Sequence, residues 1–338
     1  MNGPTSRVLI TGADGFVGRH LCPLLEKRDW TVLAGVRMAA NCPGFGFARG
    51  GLVEIGNLEK QNDWAGLLAG CQAVVHLAGR VHVMDDSGED PLAQYLAINT
   101  EATRRLAEGA AQAGVRRFVL VSTIKVCGEG DLGTRVAADG GNIWPEDLPP
   151  APVGPYAISK ARAEAELQSV CRRSGMEFTI VRPPLVYGPG VRANFLSLIR
   201  WVDKGLPMPL ASITNLRSLV GLGNLASFII RCLESPAAAN QIFQVADREP
   251  LSTPALIRAL ALALGRPARL FHFPPSLLLA GAHVFGRLPV WRRLSGSLTV
   301  DNGKAEALLD WHQPISLAEE LSLTAAWFRE QTWRGEEG

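Results

Sequence analysis

Through the first half of the chain, apolar runs of strand length alternate with helical stretches. The runs are Val8–Thr11, Thr31–Val36, Leu52–Ile55, Ala73–Leu77, Phe118–Ser122 and Phe178–Arg182. Helical patterns lie between them at Phe16–Arg28, Asp63–Leu68, Pro91–Ala113 and Tyr156–Arg173. Strands joined through helices make right-handed crossovers, which set helices on both faces of one parallel sheet. A strand covered on both faces has no side left for water, and these runs are almost continuously apolar. The pattern predicts an α/β fold built on a doubly wound parallel sheet.

After Pro183 the regularity loosens, beginning with the Pro/Gly-rich stretch Pro183–Gly190. Helices are expected at Ala193–Asp203, Asn224–Leu233, Thr253–Leu264 and Leu317–Gln331, and short strands at Ser218–Val220, Gln241–Val245 and Arg269–Phe273. Residues 1–185 are expected to form the sheet domain, with segments near 218–248 returning to it, and 186–338 mainly a smaller C-terminal substrate-binding lobe. At 338 residues and 47% apolar, the chain can bury the core this needs.

Charge narrows the partners. The net charge is +2 and no Lys/Arg run occurs, which argues against nucleic acid. The six cysteines, Cys22, Cys42, Cys71, Cys127, Cys171 and Cys232, are scattered without a Cys-x-x-Cys pair. They read as reduced thiols of a cytoplasmic protein rather than a metal site or a disulfide framework. The first strand begins almost at once, with no signal stretch before it. The apolar run Leu277–Phe285 is far shorter than the roughly 20 residues of a transmembrane helix. It reads as a core helix; Arg287, Arg292 and Arg293 behind it keep contact with a membrane surface as the alternative.

The first strand runs into Thr11-Gly-Ala-Asp-Gly-Phe-Val-Gly18, with Gly12, Gly15 and Gly18 three apart. Such glycines allow a tight turn and close approach to a pyrophosphate, which the free N–H groups of the next helix then meet. Strand before, helix after and a βαβ pattern around it are the context a Rossmann-type dinucleotide site requires. The second strand should end in an acid that reads the ribose of NAD, but it ends at Arg37. A guanidinium suits a 2′-phosphate, which tilts the expected cofactor from NAD toward NADP. An Arg37 stacked on adenine would tolerate both.

Tyr156-Ala-Ile-Ser-Lys160 puts a phenol and an amine four residues apart, on one face of a helix. A nearby ammonium stabilises phenolate, so Tyr156 is expected to exchange a proton nearer neutrality. Ser122-Thr-Ile-Lys-Val-Cys-Gly128 follows the strand ending at Ser122, and ligands of open parallel sheets bind beyond those strand ends. Thr123 could there share a substrate oxygen with Tyr156. His76-Leu-Ala-Gly79 closes another strand, with His76 read as structural. Asn99 is read either as ordering the site or as a capping or solvent amide.

Together these residues resemble the extended short-chain dehydrogenase/reductase superfamily, in its NAD-dependent epimerase/dehydratase branch. The matching segments, in order over essentially the whole chain, are TGADGFVG, HLAG, the Asn99 helix, STIKVCG, YAISK and RPPLVYGPG. The resemblance implies that Tyr156 is the acid/base, that Lys160 lowers its pKa and holds the nicotinamide ribose, and that Thr123 completes the triad. It implies cofactor contacts at Gly12, Gly15, Phe16, Val17, Gly18, Arg37, Asn57, Leu58, Leu77, Ala78, Gly79 and Asn99, with Pro183 and Pro184 beside the nicotinamide. Asn194 and Arg217 would grip the substrate diphosphate. Related enzymes dimerise through two long helices, here Pro91–Ala113 and Tyr156–Arg173, so a homodimer is one expectation.

More narrowly, the RVHVM, ANFLSLIRWV and NLRSLV segments resemble a bacterial surface-polysaccharide group, similar to UDP-glucose 4-epimerases and to reductases of UDP-4-keto-6-deoxy-N-acetylhexosamines. The expected activity is reduction by NADPH of a 4-keto nucleotide sugar, most simply UDP-linked. The alternative is 4-epimerisation of a UDP-hexose or UDP-N-acetylhexosamine. Three positions depart from the epimerase pattern: Cys127 in place of a Tyr, Asn57 in place of an adenine-binding Asp, and Arg37 in place of an acid. Ile124-Lys125 stands where dehydratases carry Asp-Glu, which argues against dehydration. A non-catalytic NAD(P)-binding module would not need the intact Thr123, Tyr156 and Lys160 set.

Overall fold

The computed structural model describes residues 6–42, 50–61, 63–81, 90–128, 135–136 and 142–336. In chain order the first elements are β1 (Arg7–Thr11), α1 (Gly18–Glu26), β2 (Thr31–Val36), β3 (Gly51–Glu54), α2 (Trp64–Leu67), β4 (Ala73–His76), α3 (Pro91–Tyr95), α4 (Ala102–Gln112) and β5 (Arg117–Val121). Next come β6 (Arg135–Val136), β7 (Asn142–Trp144), α5 (Gly154–Ser174), β8 (Glu177–Arg182), β9 (Leu185–Tyr187), α6 (Ala193–Asp203), β10 (Leu219–Gly221), α7 (Leu222–Glu234) and β11 (Gln241–Gln244). The chain ends with α8 (Thr253–Leu264), α9 (Pro275–Val284), α10 (Leu288–Ser295), β12 (Thr299–Val300), α11 (Gly303–Leu309) and α12 (Leu317–Glu336). Of the segment Arg80–Met84, residues 82–84 lie outside the described residues.

Seven strands form one sheet in the order β11-β8-β5-β4-β1-β2-β3, every neighbouring pair parallel. Side chains alternate along a strand, so Val8 and Ile10 of β1 enter one core while Leu9 enters the other. On the first face they meet Leu21 and Leu25 of α1 and Leu225 and Ile229 of α7. On the second, Leu106 of α4, Leu167 of α5 and Trp64 of α2 complete the layer. β1 lies between β2 and β4, so the strand order reverses beside it. In open sheets of this kind, ligands bind outside the carboxyl ends of the strands at such a reversal. Arg117, fully buried in β5, ties α7 to the sheet by donating to Cys232 O at 2.7 Å, with Glu177 as its counter-ion at 2.7 Å.

The segment Pro91–Ala113, expected as one helix, is three pieces: α3, a π-helical turn over Leu96–Glu101, and α4. Such a turn inserts an extra residue into the helical ladder, commonly at a functional site; here it carries Asn99. In the later half, Phe195 and Ile199 of α6, Ile257 and Leu260 of α8, and Leu321 and Ala325 of α12 make a third core. β9 pairs with β10 in a small parallel sheet of its own.

Two expectations for this half are corrected. Arg269–Phe273 is not a strand: a single bridge joins Leu270 to Met208, with Met208 N donating to Arg269 O at 2.8 Å and Phe271 N to Met208 O at 3.1 Å. The run Leu277–Phe285 is largely helical as α9, but it is not core, because no residue of α9 or α10 is buried. Its main packing partner is α10, and only Leu278, Trp291 and Leu294 reach in toward the third core.

No helix among the described residues is long and apolar enough to cross a membrane. All six cysteines are buried as free thiols. Burial pushes Cys22 and Cys171 up to about 12 and raises Cys71, Cys127 and Cys232 as well.

Candidate active site

The chain leaves β1 through Gly12, whose φ of +70° favours glycine and where a Cβ would stand 2.9 Å from Ala78 N. Gly15 N donates back to Gly12 O at 3.0 Å, and a Cβ on Gly18 would fall 2.6 Å from Ala13 Cα. No side chain caps the start of α1; Arg19 N donates to Gly15 O at 3.1 Å and Leu21 N to Val17 O at 2.9 Å, and the positive end of the helix dipole faces the turn, where an anion is favoured. This cradle fits a dinucleotide pyrophosphate. Phe16 and Val17 are partly buried after it, Phe16 against the third core. Arg37 is exposed immediately after β2. Asn57 is exposed and Leu58 buried after Gly56 beyond β3, at the same edge of the sheet.

After β4, Leu77 and Ala78 are partly buried and Gly79 exposed. Leu77 N donates to Thr11 O at 3.2 Å, which holds this loop against the glycine turn. His76 is buried between Thr11 Oγ1, 2.6 Å from its Nδ1, and Thr103 Oγ1, 3.0 Å from its Nε2. Burial, then the charge of Lys160, pushes it down to about 3, so it stays neutral and links β1, β4 and α4.

Asn99 is neither a cap nor a solvent amide. Arg80 N donates to its Oδ1 at 2.7 Å, and its Nδ2 donates to Arg80 O at 3.0 Å and to Ser159 Oγ at 2.9 Å. One buried amide thus fixes the loop after β4 to α5. Gly79 leaves the room for it, since a Cβ there would come within 2.9 Å of Asn99 Oδ1.

Thr123, Tyr156 and Lys160 meet at the carboxyl end of β5. The Thr123 hydroxyl is near enough to the Tyr156 phenol to favour its ionised form. Thr123 Oγ1 also accepts from Lys125 N at 3.3 Å, which orients it. Lys160 is buried on α5 one turn beyond Tyr156, and its Nζ donates to Val121 O at 2.8 Å. Ser122 Oγ is buried and has no hydrogen-bond partner among the described residues. Pro183 is buried beside this group, its carbonyl accepting from Ile124 N at 2.9 Å. Pro184 is partly buried.

The electrostatics correct one expectation. Burial pushes the Tyr156 phenol up to about 12, the Thr123 hydroxyl acts against this, and nearby Tyr95 adds to it. The ammonium of Lys160 is turned to the Val121 carbonyl. Lys160 itself is pushed down to about 8 by burial, with Glu164 holding it up.

Three supporting residues had no place in the sequence reading. Tyr95 packs edge-on to Tyr156, with ring centroids 6.2 Å apart. Glu164, four residues past Lys160, forms a buried ion pair with Arg182 at 2.7 Å. Arg182 also donates to Cys127 Sγ at 3.4 Å, so the Cys127 departure is absorbed into that buried network. The continued four-residue spacing from Tyr156 to Lys160 to Glu164 was the available signal. In the later half of the chain, Asn194 is exposed in the first turn of α6. Arg217 is partly buried, its backbone exchanging 2.9 Å bonds with Leu251 and its Nη1 donating to Gly296 O at 3.0 Å.

A glycine turn where the strand order of a parallel sheet reverses, with Thr123, Tyr156 and Lys160 at the carboxyl end of β5 in the same sheet, is the arrangement of a dinucleotide-dependent enzyme. The chain belongs to the NAD dependent epimerase/dehydratase family, whose model matches residues 8–246. It is 41% identical over 323 residues to a UDP-glucose 4-epimerase of Vibrio cholerae, covering 95% of each chain. It is 27% identical to an N-acetyl-alpha-D-glucosaminyl-diphospho-ditrans,octacis-undecaprenol 4-epimerase of Escherichia coli O157:H7, over 82% of this chain and 78% of that one. Its fold is similar to a UDP-glucuronic acid 4-epimerase from Bacillus cereus in complex with NAD, at a TM-score of 0.76, 21% identity, and 96% and 99% coverage.

Proposed function

We propose that the chain is a UDP-sugar 4-epimerase, and that NAD held between the glycine turn and Lys160 serves it. The Thr123–Tyr156–Lys160 cluster carries this reading, together with the 41% identity to a UDP-glucose 4-epimerase over nearly the whole chain. Gly12, Gly15 and Gly18 would receive the pyrophosphate, Asn57 and Leu58 the adenine, and Arg37 the adenosine ribose. Leu77, Ala78, Gly79 and Pro183 would border the nicotinamide end. Bound there, a nicotinamide would supply reversible hydride transfer at C4 of the sugar.

The chain's own task is the proton. Tyr156 Oη takes the proton of the 4-hydroxyl as the carbonyl forms and gives it back after the sugar has turned. Thr123 shares the same oxygen and keeps the phenol aimed at it. Burial alone opposes phenolate, so the ammonium of Lys160 has to turn from Val121 toward the ribose and the phenol as the site fills. Asn194 and Arg217 would hold the diphosphate, with the irregular second lobe shaping the sugar pocket. A homodimer through α4 and α5, in the cytoplasm, belongs to the same reading.

Arg37 favours a second reading, a 4-ketoreductase fed by NADPH. Purified protein separates the two. Interconversion of UDP-glucose and UDP-galactose, or of their 2-acetamido forms, without net cofactor consumption supports the epimerase. Stoichiometric NADPH oxidation by a UDP-4-keto sugar, with no interconversion, replaces it by the reductase.

A further inference from the structure

We propose that the α9–α10 hairpin docks the protein onto the surface of an anionic phospholipid bilayer. The proposal is independent of the reaction assigned above.

Composition and exposure together point there. α9, Pro275-Ser-Leu-Leu-Leu-Ala-Gly-Ala-His-Val284, contains no Asp, Glu, Lys or Arg, and none of its residues is buried. Leu277 is 57% exposed, Val284 77% and Phe285 79%. On α10, Leu288, Trp291 and Leu294 recur at three-residue spacing and are partly buried, while Pro289, Val290, Arg292 and Arg293 are exposed. Phe271, just before the hairpin, is exposed too. Leu277 and Val284, seven residues apart on α9, share one face, and large apolar side chains exposed together on a folded chain mark a contact with something else.

Charge selects the partner. From Pro250 to Val300 the chain holds six arginines, Arg258, Arg266, Arg269, Arg287, Arg292 and Arg293, and no Asp, Glu or Lys. The whole chain is nearly balanced at +2, so this is a local excess. Arg266 is held by Asp203, whereas Arg287, Arg292 and Arg293 stand exposed on the hairpin that carries the apolar side chains. Apolar side chains beside basic ones suit the boundary between headgroups and acyl chains. The guanidinium fork matches a phosphodiester, and the negative surface potential of anionic lipid draws it in. A helix of ten residues cannot span the bilayer, so attachment is peripheral. A symmetric pairing of two copies through this face would set the arginine clusters against each other.

The test uses full-length protein and vesicles of phosphatidylglycerol in phosphatidylcholine, with pure phosphatidylcholine as control. Sedimentation should carry protein down with the anionic vesicles alone, and added NaCl should release it. Phe285→Ser should weaken partition roughly tenfold. Combined Arg287→Glu, Arg292→Glu and Arg293→Glu should weaken it on the order of 100-fold. Thermal melts check that these variants fold. Amide exchange of the unmodified protein gives a second measure: residues 275–295 should be protected by anionic vesicles. Binding indifferent to lipid charge, or no protection there, overturns the proposal. So does a concentration-dependent dimer that Phe285→Ser dissolves and that leaves the anionic vesicles unbound, since the face would then belong to a second copy.

Discussion

Helices α5 and α9 reverse what their side chains suggest. α5 carries Lys160, Arg162, Glu164, Glu166, Arg172 and Arg173, yet it buries Ala157, Ser159, Lys160, Ala163, Glu164, Leu167, Val170 and Cys171. α9 carries no Asp, Glu, Lys or Arg and buries nothing. What lies opposite decides the matter. α5 rests on α4 and the sheet, whereas α9 has chiefly α10 beside it. The informative departures are therefore the charges inside and the hydrocarbon outside. On α5 each buried charge has its partner, Lys160 the Val121 carbonyl and Glu164 the guanidinium of Arg182.

The contrast can be tested in order of effect. Tyr156→Phe should lower turnover by about 10²–10⁴ while leaving cofactor binding intact, measured by steady-state kinetics beside a cofactor titration. Undiminished turnover would remove α5 from the chemistry. Arg182→Ala leaves the Glu164 carboxylate buried alone and should cost about 3–5 kcal/mol in urea unfolding. A loss under about 1 kcal/mol would mean that water reaches the pair as it reaches an exposed one.

Lys160 gives a signed pH dependence. Its folded value, about 8, lies below its ordinary 10.5. Between these the unfolded chain keeps the proton that the folded chain has lost, so stability rises with pH across that window. Below pH 8 the cost of the buried charge is fully present. The whole rise for one such group is up to about 3 kcal/mol. Urea midpoints of the wild type and Lys160→Met should diverge below pH 8 and draw together toward pH 10. The smallest effect belongs to α9, where Leu277→Ser should change stability by no more than about 0.5 kcal/mol. A large loss there would show that the hairpin is supported after all.

Much of the sheet was legible, because strands buried on both faces must be apolar throughout and their glycine-bounded ends stand out. β2, expected and found at Thr31–Val36, shows this. The remainder depended on contacts distant in sequence. Pro91–Ala113 has helical periodicity, but nothing in it marks the π turn that aims Asn99 at Arg80 and Ser159. Arg269–Phe273 is apolar enough for a strand, and only the tertiary arrangement limits it to one bridge with Met208. Leu277–Phe285 reads as core because apolarity reports what a segment tolerates, not what covers it. The turning of Lys160 to Val121 was invisible too, since helical spacing places two side chains on one face without saying where their ends point.

The six native thiols are out of reach of reagents that need a thiolate at the surface: all are buried, and burial raises at least five of them. The unmodified sequence therefore serves as a silent background for site-specific labelling. A cysteine placed at an exposed position such as Phe285 would be the one thiol that a maleimide dye finds quickly, with no native cysteine removed first.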